Sequence, residues 1–206
     1  RRCALCCSTA CFARWPNAIV TDSGGFQAFS LAQLCKLTED GFAFASHLDG
    51  SRRMLSPEES MRVQGLLGSD IAMQLDVCPP GGSELPALVA AIERTTRWAE
   101  RCLRAKRPEQ ALFGIIQGGT NIALRLRHAA ELARLPFEGL ALGGFSVGEP
   151  IEQMHQTLAE VVPAVDASRP RYLMGVGTPS DLLRAIGTGI DIFDCVMPTR
   201  NARNGQ

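Results

Sequence analysis

Two aspartates placed where apolar segments end suggest chemistry at a sugar carbon. Asp22 closes the β-rich segment 18–22, and Asp194 lies within the apolar segment 190–196. Burying an unpaired carboxylate merely for packing would cost several kcal/mol, so these positions favour a functional site. Two carboxylates across a pocket suit work at an anomeric carbon, where one attacks or stabilises the cation-like centre and the other moves the proton. The alternative, a helix N-cap or turn aspartate, stays open for Asp22 in particular.

Polar groups at other segment ends suit a purine. Asp76 could accept from N1–H and N2–H₂ of a guanine edge, while the Gln117 amide and the Gly144 backbone N–H could donate to O6. Phe26 could stack on the ring face. Each feature also has a plainer interpretation, with 117–119 as a turn and Phe26 as part of the core. Their shared position at the ends of apolar segments favours the functional interpretation.

Two further segments carry groups that suit nucleic acid. Arg200 and Arg203, in a predicted turn that follows Asp194, could hold phosphates or bases. Segment 175–181, GVGTPSD, is a glycine-rich turn before a predicted helix N-terminus, which can seat a phosphate. A basic stripe at helical spacing is interpreted instead as the solvated face of a helix: Arg94, Arg97, Arg101 and Arg104.

The elements that must position these groups alternate regularly along the chain. Short apolar strands are predicted at 18–22, 41–50, 70–76, 111–119, 139–144, 171–177 and 190–196. Helices are predicted at 57–67, 83–106, 121–135, 150–162 and 179–187. Repeated βα units predict a parallel sheet covered by helices. Six segment ends with site-like residues favour a (β/α)₈ barrel over an open doubly wound sheet. Six or seven units are counted, whereas eight usually need about 250 residues, so the barrel is expected to be incomplete.

Composition adds few constraints on function. Lys plus Arg and Asp plus Glu are both 21 among 206 residues, so any nucleic-acid contact must come from local clusters. No apolar run reaches the roughly 18 residues of a membrane span, and none is expected. Four scattered cysteines favour reduced thiols and a cytosolic protein. Four more crowd an atypical N-terminal segment, residues 1–15, whose lone C-x-x-C lacks a second pair for zinc. The histidines His47, His128 and His155 show no metal-ligand spacing.

Several longer motifs resemble one enzyme family, from about Ile19 to the C-terminus. They are TDSGGFQ, SHLDGS, GSDIAMQLDVCPP, LFGIIQGG, LGGFSVGEP, RYLMGVGTP and DIFDCVMPTRNARNG. Together they resemble tRNA-guanine transglycosylase (queuine tRNA-ribosyltransferase). The resemblance implies a (β/α)₈ barrel with an inserted zinc subdomain. It also implies exchange of the wobble-position guanine of certain tRNAs for a 7-deazaguanine, a step of queuosine biosynthesis.

The resemblance implies a role for each motif residue. Asp194 is expected to be the nucleophile that bonds covalently to ribose C1′, and Asp22 the general acid/base. Two displacements at one carbon would retain configuration. The expected base-binding residues are Asp22, Ser23, Gly24, Gly25, Phe26, Asp76, Gln117, Gly144, Phe145 and Met174. The expected tRNA contacts are Gly175, Val176, Gly177, Thr178, Pro179, Ser180, Asp181, Thr199, Arg200, Asn201, Ala202 and Arg203.

The resemblance also implies partners and limits. Cys78 and Val147 match the bacterial type, which favours 7-aminomethyl-7-deazaguanine as the inserted base, with the Phe145 carbonyl accepting from its aminomethyl group. The family's zinc ligands, three cysteines and a histidine, would lie beyond Gln206, so no metal or cofactor is expected within this chain. Residues 16–206 would form a partial barrel that is inactive alone, and the complete protein would be a cytoplasmic homodimer.

The sequence leaves three rival interpretations of function open. One is a glycosylase, or a relative that inserts another base. A second is a non-catalytic tRNA-binding subunit, which the presence of both Asp22 and Asp194 disfavours. A third is an inactive fragment of the enzyme.

Overall fold

The computed structural model describes residues 9, 13–30, 35–46 and 48–205, with only the backbone for residues 28–30. The cysteines at positions 3, 6, 7 and 11 and His47 lie outside the described residues, as does most of the predicted N-terminal segment 1–15.

Nine strands are described: β1 Val20–Thr21, β2 Cys35–Leu37, β3 Phe42–Ala45, β4 Arg52–Leu55, β5 Ile71–Met73, β6 Ala111–Ile116, β7 Gly139–Leu142, β8 Arg171–Leu173 and β9 Ile192–Phe193.

Six of these strands form one parallel sheet, in the order β1-β5-β6-β7-β8-β9. From β5 onward, neighbouring strands are also consecutive in the chain and are joined by helices, as repeated βα units require. The register pairs Val20 with Ile71, Ile71 with Ala111, and Tyr172 with Ile192. This arrangement confirms the predicted parallel sheet and is consistent with a partial (β/α)₈ barrel.

Seven α-helices are described, five of them predicted. Local capping explains where several begin: Ser56, Asn121 and Thr178 each accept a backbone N–H from three residues ahead. The helices are α1 Gly25–Ser30, α2 Pro57–Leu67, α3 Leu85–Ala105, α4 Ile122–Ala133, α5 Ile151–Val161, α6 Pro179–Thr188 and α7 Met197–Arg203, with a 3₁₀ turn at Val162–Ala164 after α5.

Side chains on the two faces of the parallel sheet form two separate apolar clusters. Alternate strand residues, such as Leu112 and Leu140, join Trp98 and Leu158 of the helices in the larger cluster. The opposite face has its own buried cluster: Met73, Phe113, Ile115, Ala141 and Tyr172. Both faces of the strands are therefore buried, which explains why they read as nearly continuous apolar segments.

The predicted strand at 41–50 is present as β3, but it does not belong to the parallel sheet. It pairs antiparallel with β2 and β4 in a separate three-stranded sheet. Only the six residues 46–51 join β3 to β4, which allows a hairpin, whereas a parallel pair needs a crossover of about a dozen residues. Trp98 anchors this sheet on α3, with its ring edge-on to Phe42 and its Nε1 donating to the Glu39 carbonyl.

The basic stripe of α3 is less solvated than predicted. Arg94 and Arg97 bind Glu39 of the hairpin sheet, and Arg101 binds Glu58 of α2. These pairs tie the hairpin sheet and α2 to α3. Arg97 and Arg104 remain exposed, as predicted, whereas Arg94 and Arg101 are largely covered.

The segment after Asp194 was predicted as a turn, and this prediction was wrong. Residues Met197–Arg203 form α7, with Pro198 in its first turn, where the missing N–H costs nothing. The predicted tRNA-contact residues 199–203 therefore lie on a short helix. No helix in the described part of the chain is long and apolar enough to cross a membrane.

Candidate active site

The polar residues singled out from the sequence lie at one end of the parallel sheet. Each follows the carboxyl end of a strand: Asp22 after β1, Asp76 after β5, Gln117 after β6, Gly144 after β7, Met174 after β8 and Asp194 after β9. In parallel α/β folds, this end is where loops converge to form sites. The structure therefore brings the predicted base-binding and catalytic positions to the same edge.

The two aspartates approach each other although their strands lie at opposite ends of the sheet order. The charge of Asp194 contributes to raising the pKa of Asp22, and both carboxylates help to raise the pKa of the Tyr172 hydroxyl. The effect of Asp194 on Asp22 indicates that the two carboxylates lie within electrostatic range of each other.

Asp194 is held through one of its carboxylate oxygens. The Tyr172 hydroxyl and the Gly175 backbone N–H each donate to Oδ1 over 2.7 Å. Oδ2 has no hydrogen-bond partner among the described residues. The carboxylate is thus fixed in orientation, with its second oxygen presented at the exposed surface of the site.

Asp22 is crowded by protein although water reaches it. Partial removal from water is the main reason why its pKa is raised, and Asp194 adds to this effect. Hydrogen bonds from the Ser23 N–H, 2.7 Å from Oδ1, and from Gln27 oppose the shift. A raised pKa favours the protonated form of the carboxyl, which a general acid needs.

Asp76 and Gln117 form a buried polar pair. Gln117 Nε2 donates to Asp76 Oδ2 over 2.6 Å, and both side chains are at most 5% exposed. Burial raises the pKa of Asp76 to about 7, with the hydrogen bond from Gln117 opposing and the charge of Asp22 adding. Gln117 Oε1 has no partner among the described residues. A buried pair with open hydrogen-bonding capacity is suited to a polar ligand.

Close backbone packing surrounds this pair. A β-carbon at Gly144 would overlap Gln117 Oε1, and Gly144 has a φ of +68°, so only glycine fits there. A β-carbon at Gly25 would lie 3.0 Å from the Asp76 carbonyl oxygen. Ser23 is also buried, where its Oγ accepts from the Gly25 N–H. The TDSGG segment therefore packs directly against Asp76.

The predicted stacking residues flank the site differently. Phe26 lies in the first turn of α1 and is 45% exposed. Met174 is half-buried against the cluster that contains Tyr172. Phe145 is buried, with the Arg125 guanidinium 3.8 Å from its ring centroid, so its backbone rather than its ring is available to a ligand.

The predicted tRNA-contact segments are only partly exposed. Gly175, Pro179 and Ser180 face solvent, as do Arg200 and Arg203. Val176 and Asp181 are buried instead, and Asp181 binds His155 Nε2 over 2.8 Å and accepts from Thr178. These two side chains support the segment from within, and the residues that it presents to solvent are their exposed neighbours.

Three residues that hold the site together were missed at the sequence level. Tyr172 orients Asp194, Arg125 binds the loops after β6 and β7, and Glu149 accepts from the Ser146 and Val147 N–H groups. A signal existed only for Tyr172, which shares a strand face with Met174 at i, i+2.

No cluster of three metal-binding side chains occurs within the described ranges, and the four described cysteines form no disulfide.

Comparison with known proteins identifies the family. The family model described as queuine tRNA-ribosyltransferase matches residues 7–206. The chain belongs to the queuine tRNA-ribosyltransferase family. A protein from Sorangium cellulosum with this name is 69% identical over 195 residues, which cover 95% of this chain and 50% of the relative. Relatives of the same name from Pelotomaculum thermopropionicum and Desulforamulus reducens are 55% and 53% identical, each match covering 94% of this chain and 53% of the relative.

The chain spans about half the length of the curated relatives that it matches. The queuine tRNA-ribosyltransferase match includes all six strand ends of the site, since it begins before Asp22 and continues past Asp194. It confirms the resemblance found in the motifs.

Proposed function

We propose that this chain carries the base-exchange site of a tRNA-guanine transglycosylase, a pentosyltransferase of queuosine biosynthesis. The observation that carries the proposal is the arrangement of Asp194 and Asp22. The Asp194 carboxylate is fixed by two donors to Oδ1 with its other oxygen open, and its charge helps to raise the pKa of the Asp22 carboxyl. This arrangement suits displacement at a sugar carbon with proton transfer from the opposite side. It disfavours a non-catalytic subunit.

The proposed reaction has two displacements at ribose C1′ of the wobble nucleotide. Asp194 Oδ2 forms a bond to C1′ as the C1′–N9 bond of guanine breaks, and Asp22 gives a proton to the departing base. The incoming base then loses its N9 proton to Asp22 and attacks C1′, which breaks the ester bond and restores the Asp194 carboxylate. Two inversions at one carbon retain configuration.

Base recognition is assigned to the buried pair and its neighbours. The Asp76 carboxylate would accept from N1–H and N2–H₂, and Gln117 Nε2, which has a second hydrogen, would donate to O6 together with the Gly144 N–H. That N–H has no acceptor among the described residues. Phe26 and Met174 would cover the two faces of the ring. A site built to match these groups rejects bases that lack them, because its own buried polar atoms would then be left unpaired.

We propose 7-aminomethyl-7-deazaguanine as the inserted base. Glu149 accepts from the Ser146 N–H, so in the trans peptide the Phe145 carbonyl points the opposite way. That carbonyl could then accept from an aminomethyl group. The Val147 N–H donates to the same Glu149 carboxylate, and the Val147 carbonyl accepts from the Gly81 N–H. With its backbone held in this way, Val147 narrows the space for a larger substituent on the base.

The remaining proposals concern tRNA and the rest of the protein. Arg200 and Arg203 on α7, together with the exposed residues Pro179 and Ser180, would contact tRNA around the wobble nucleotide. From the resemblance of the motifs, we also propose a zinc subdomain outside residues 1–206 and a homodimer.

A chimera tests the proposal. Residues 7–206 replace the matching half of the Sorangium cellulosum relative, and incorporation of radiolabelled guanine into tRNA is measured. We expect exchange by the parent chimera and a loss of roughly 10² to 10⁴ in rate for Asp22→Asn, as is usual when a general acid/base is removed. Absence of exchange by a folded parent chimera, or an unchanged rate for the variant, would refute the assignment.

A further inference from the structure

Arg125 is an unusual charged residue beneath the proposed base site. It lies in α4, is 0% exposed and has no ion pair with a carboxylate in the described part of the chain. Removal from water lowers its pKa to about 9, so it stays mostly charged at neutral pH. Burying a charge costs free energy unless hydrogen bonds compensate. The hydrogen bonds of the guanidinium therefore indicate why a charged residue is buried here.

The guanidinium spans two loops. On the loop after β6 it donates from Nη1 to the Ile116 carbonyl over 3.2 Å and from Nε to the Gly119 carbonyl. On the loop after β7 it donates from Nη2 to the Gly143 carbonyl over 2.8 Å. The first two carbonyls flank Gln117, and the third precedes Gly144. One rigid cation thus joins the two segments that would recognise O6 of the base.

Peptide geometry converts these contacts into an orientation. In a trans peptide the C=O of one residue and the N–H of the next point in opposite directions. With the Gly143 carbonyl turned toward Arg125, the Gly144 N–H is turned away from it. Gly144 has no side chain to restrict this peptide, and its φ of +68° is open to alternatives. Arg125 supplies the restraint that glycine lacks.

We propose that Arg125 is a positioning residue that sets recognition of the purine 6-oxo group by fixing the Gly143–Gly144 peptide against the Gln117 loop. This inference rests on the proposed function, because it concerns the same base site. It goes further because it makes recognition of the 6-oxo edge of the base depend on Arg125, a residue that does not contact the ligand. Substitution of Arg125 should therefore weaken the binding of a base in proportion to the strength of the hydrogen-bond acceptor at its C6.

The experiment compares guanine with 6-thioguanine, which keeps N1–H and the 2-amino group but has sulfur, a weaker acceptor, at C6. Dissociation constants are measured by calorimetry on the chimera at pH 8, where Asp76 is ionised. For Arg125→Met we expect guanine binding to weaken roughly tenfold and 6-thioguanine binding less than about threefold. The matched control is Arg127→Met on the same helix, whose exposed side chain binds Glu131, and it should change neither constant.

The outcomes separate the inference from a general loss of structure and from failure of the proposed function. Equal weakening of both bases, or none, would overturn the positioning role. If Arg125→Met does not fold, Arg125→Lys decides, since it keeps the charge but cannot reach all three carbonyls. It should show the same preferential loss for guanine, and equal effects on both bases would overturn the inference. A parent chimera that binds no guanine would refute the proposed function, and the inference with it.

Discussion

The Tyr172 hydroxyl lies 2.7 Å from Asp194 Oδ1 and donates to it. Tyr172 sits on β8 and Asp194 follows β9, so the contact depends on the pairing of these neighbouring strands. Burial and, to a lesser extent, nearby negative charge raise the pKa of Tyr172, so the phenol keeps the proton that it donates. The orientation of the proposed nucleophile is therefore set by an adjacent strand and by the Gly175 backbone.

Replacing Tyr172 by Phe should slow covalent bond formation without preventing it. One of two donors to Oδ1 is lost, and we expect a decrease of roughly tenfold, equivalent to about 1.4 kcal/mol. Single-turnover formation of the tRNA adduct by the chimera measures the rate, and tRNA affinity, measured on the same variant, should change less than about twofold. A rate equal to that of the parent would show that Tyr172 does not orient Asp194.

Base binding should depend on pH through Asp76. Its carboxyl has a pKa of about 7 in the folded protein, and only the ionised form can accept from both N1–H and N2–H₂. Guanine affinity should therefore be constant above about pH 8 and fall toward tenfold per pH unit below about pH 6. The variant Asp76→Asn should bind weakly with no such dependence. A parent affinity that is flat from pH 5 to pH 8 would contradict this role.

The raised pKa of Asp76 should make the free energy of unfolding fall as the pH rises, whereas guanine affinity should increase. The pKa of Asp76 is higher in the folded state than the ordinary value of 3.8, so folding takes up a proton. The contribution of Asp76 to the free energy of unfolding is fully present below about pH 4, declines as the pH rises, and is lost above about pH 7. Relative to the parent, Asp76→Asn should thus gain free energy of unfolding between pH 5 and pH 8.

Val147 should decide which base is inserted. The parent chimera should use 7-aminomethyl-7-deazaguanine in preference to queuine, because the branched side chain limits room for the cyclopentenediol. Val147→Gly should shift the ratio of the two kcat/KM values toward queuine by at least about tenfold, the value of one or two methylene-sized contacts. Competition between the two bases for exchange into tRNA measures the ratio. Clear preference of the parent for queuine would overturn the prediction.

Arg200 should contribute to tRNA affinity through charge. It is exposed on α7 beside the proposed nucleophile, and Arg200→Ala should reduce the slope of log K against log salt by about one, as expected for one lost phosphate contact. Arg104→Ala removes an exposed arginine of α3 and is the control that should leave the slope unchanged. Identical slopes for parent and Arg200→Ala would remove Arg200 from the interface.

Local sequence signals predicted the strand ends, but not the partners of each side chain. The apolar segments that end near Asp22, Asp76, Gln117 and Asp194 predicted the parallel sheet and the placement of these residues at its carboxyl end. The hairpin pairing of β3 was missed because an isolated apolar strand does not reveal its neighbours. Arg125 and Arg127 are two residues apart on one helix, yet the first is buried and the second exposed. Only the packed fold shows which of them lies beneath the site.

Asp194 is the residue that we propose to form a covalent bond to ribose C1′. The direct measurement is formation of a tRNA–protein adduct that survives denaturation, with the modified peptide located by mass spectrometry. The parent chimera should form the adduct on Asp194, and Asp194→Asn should form none while binding tRNA with nearly parental affinity, because the amide is a far poorer nucleophile. An adduct that persists in Asp194→Asn, or that maps to another residue in the parent, would contradict the account.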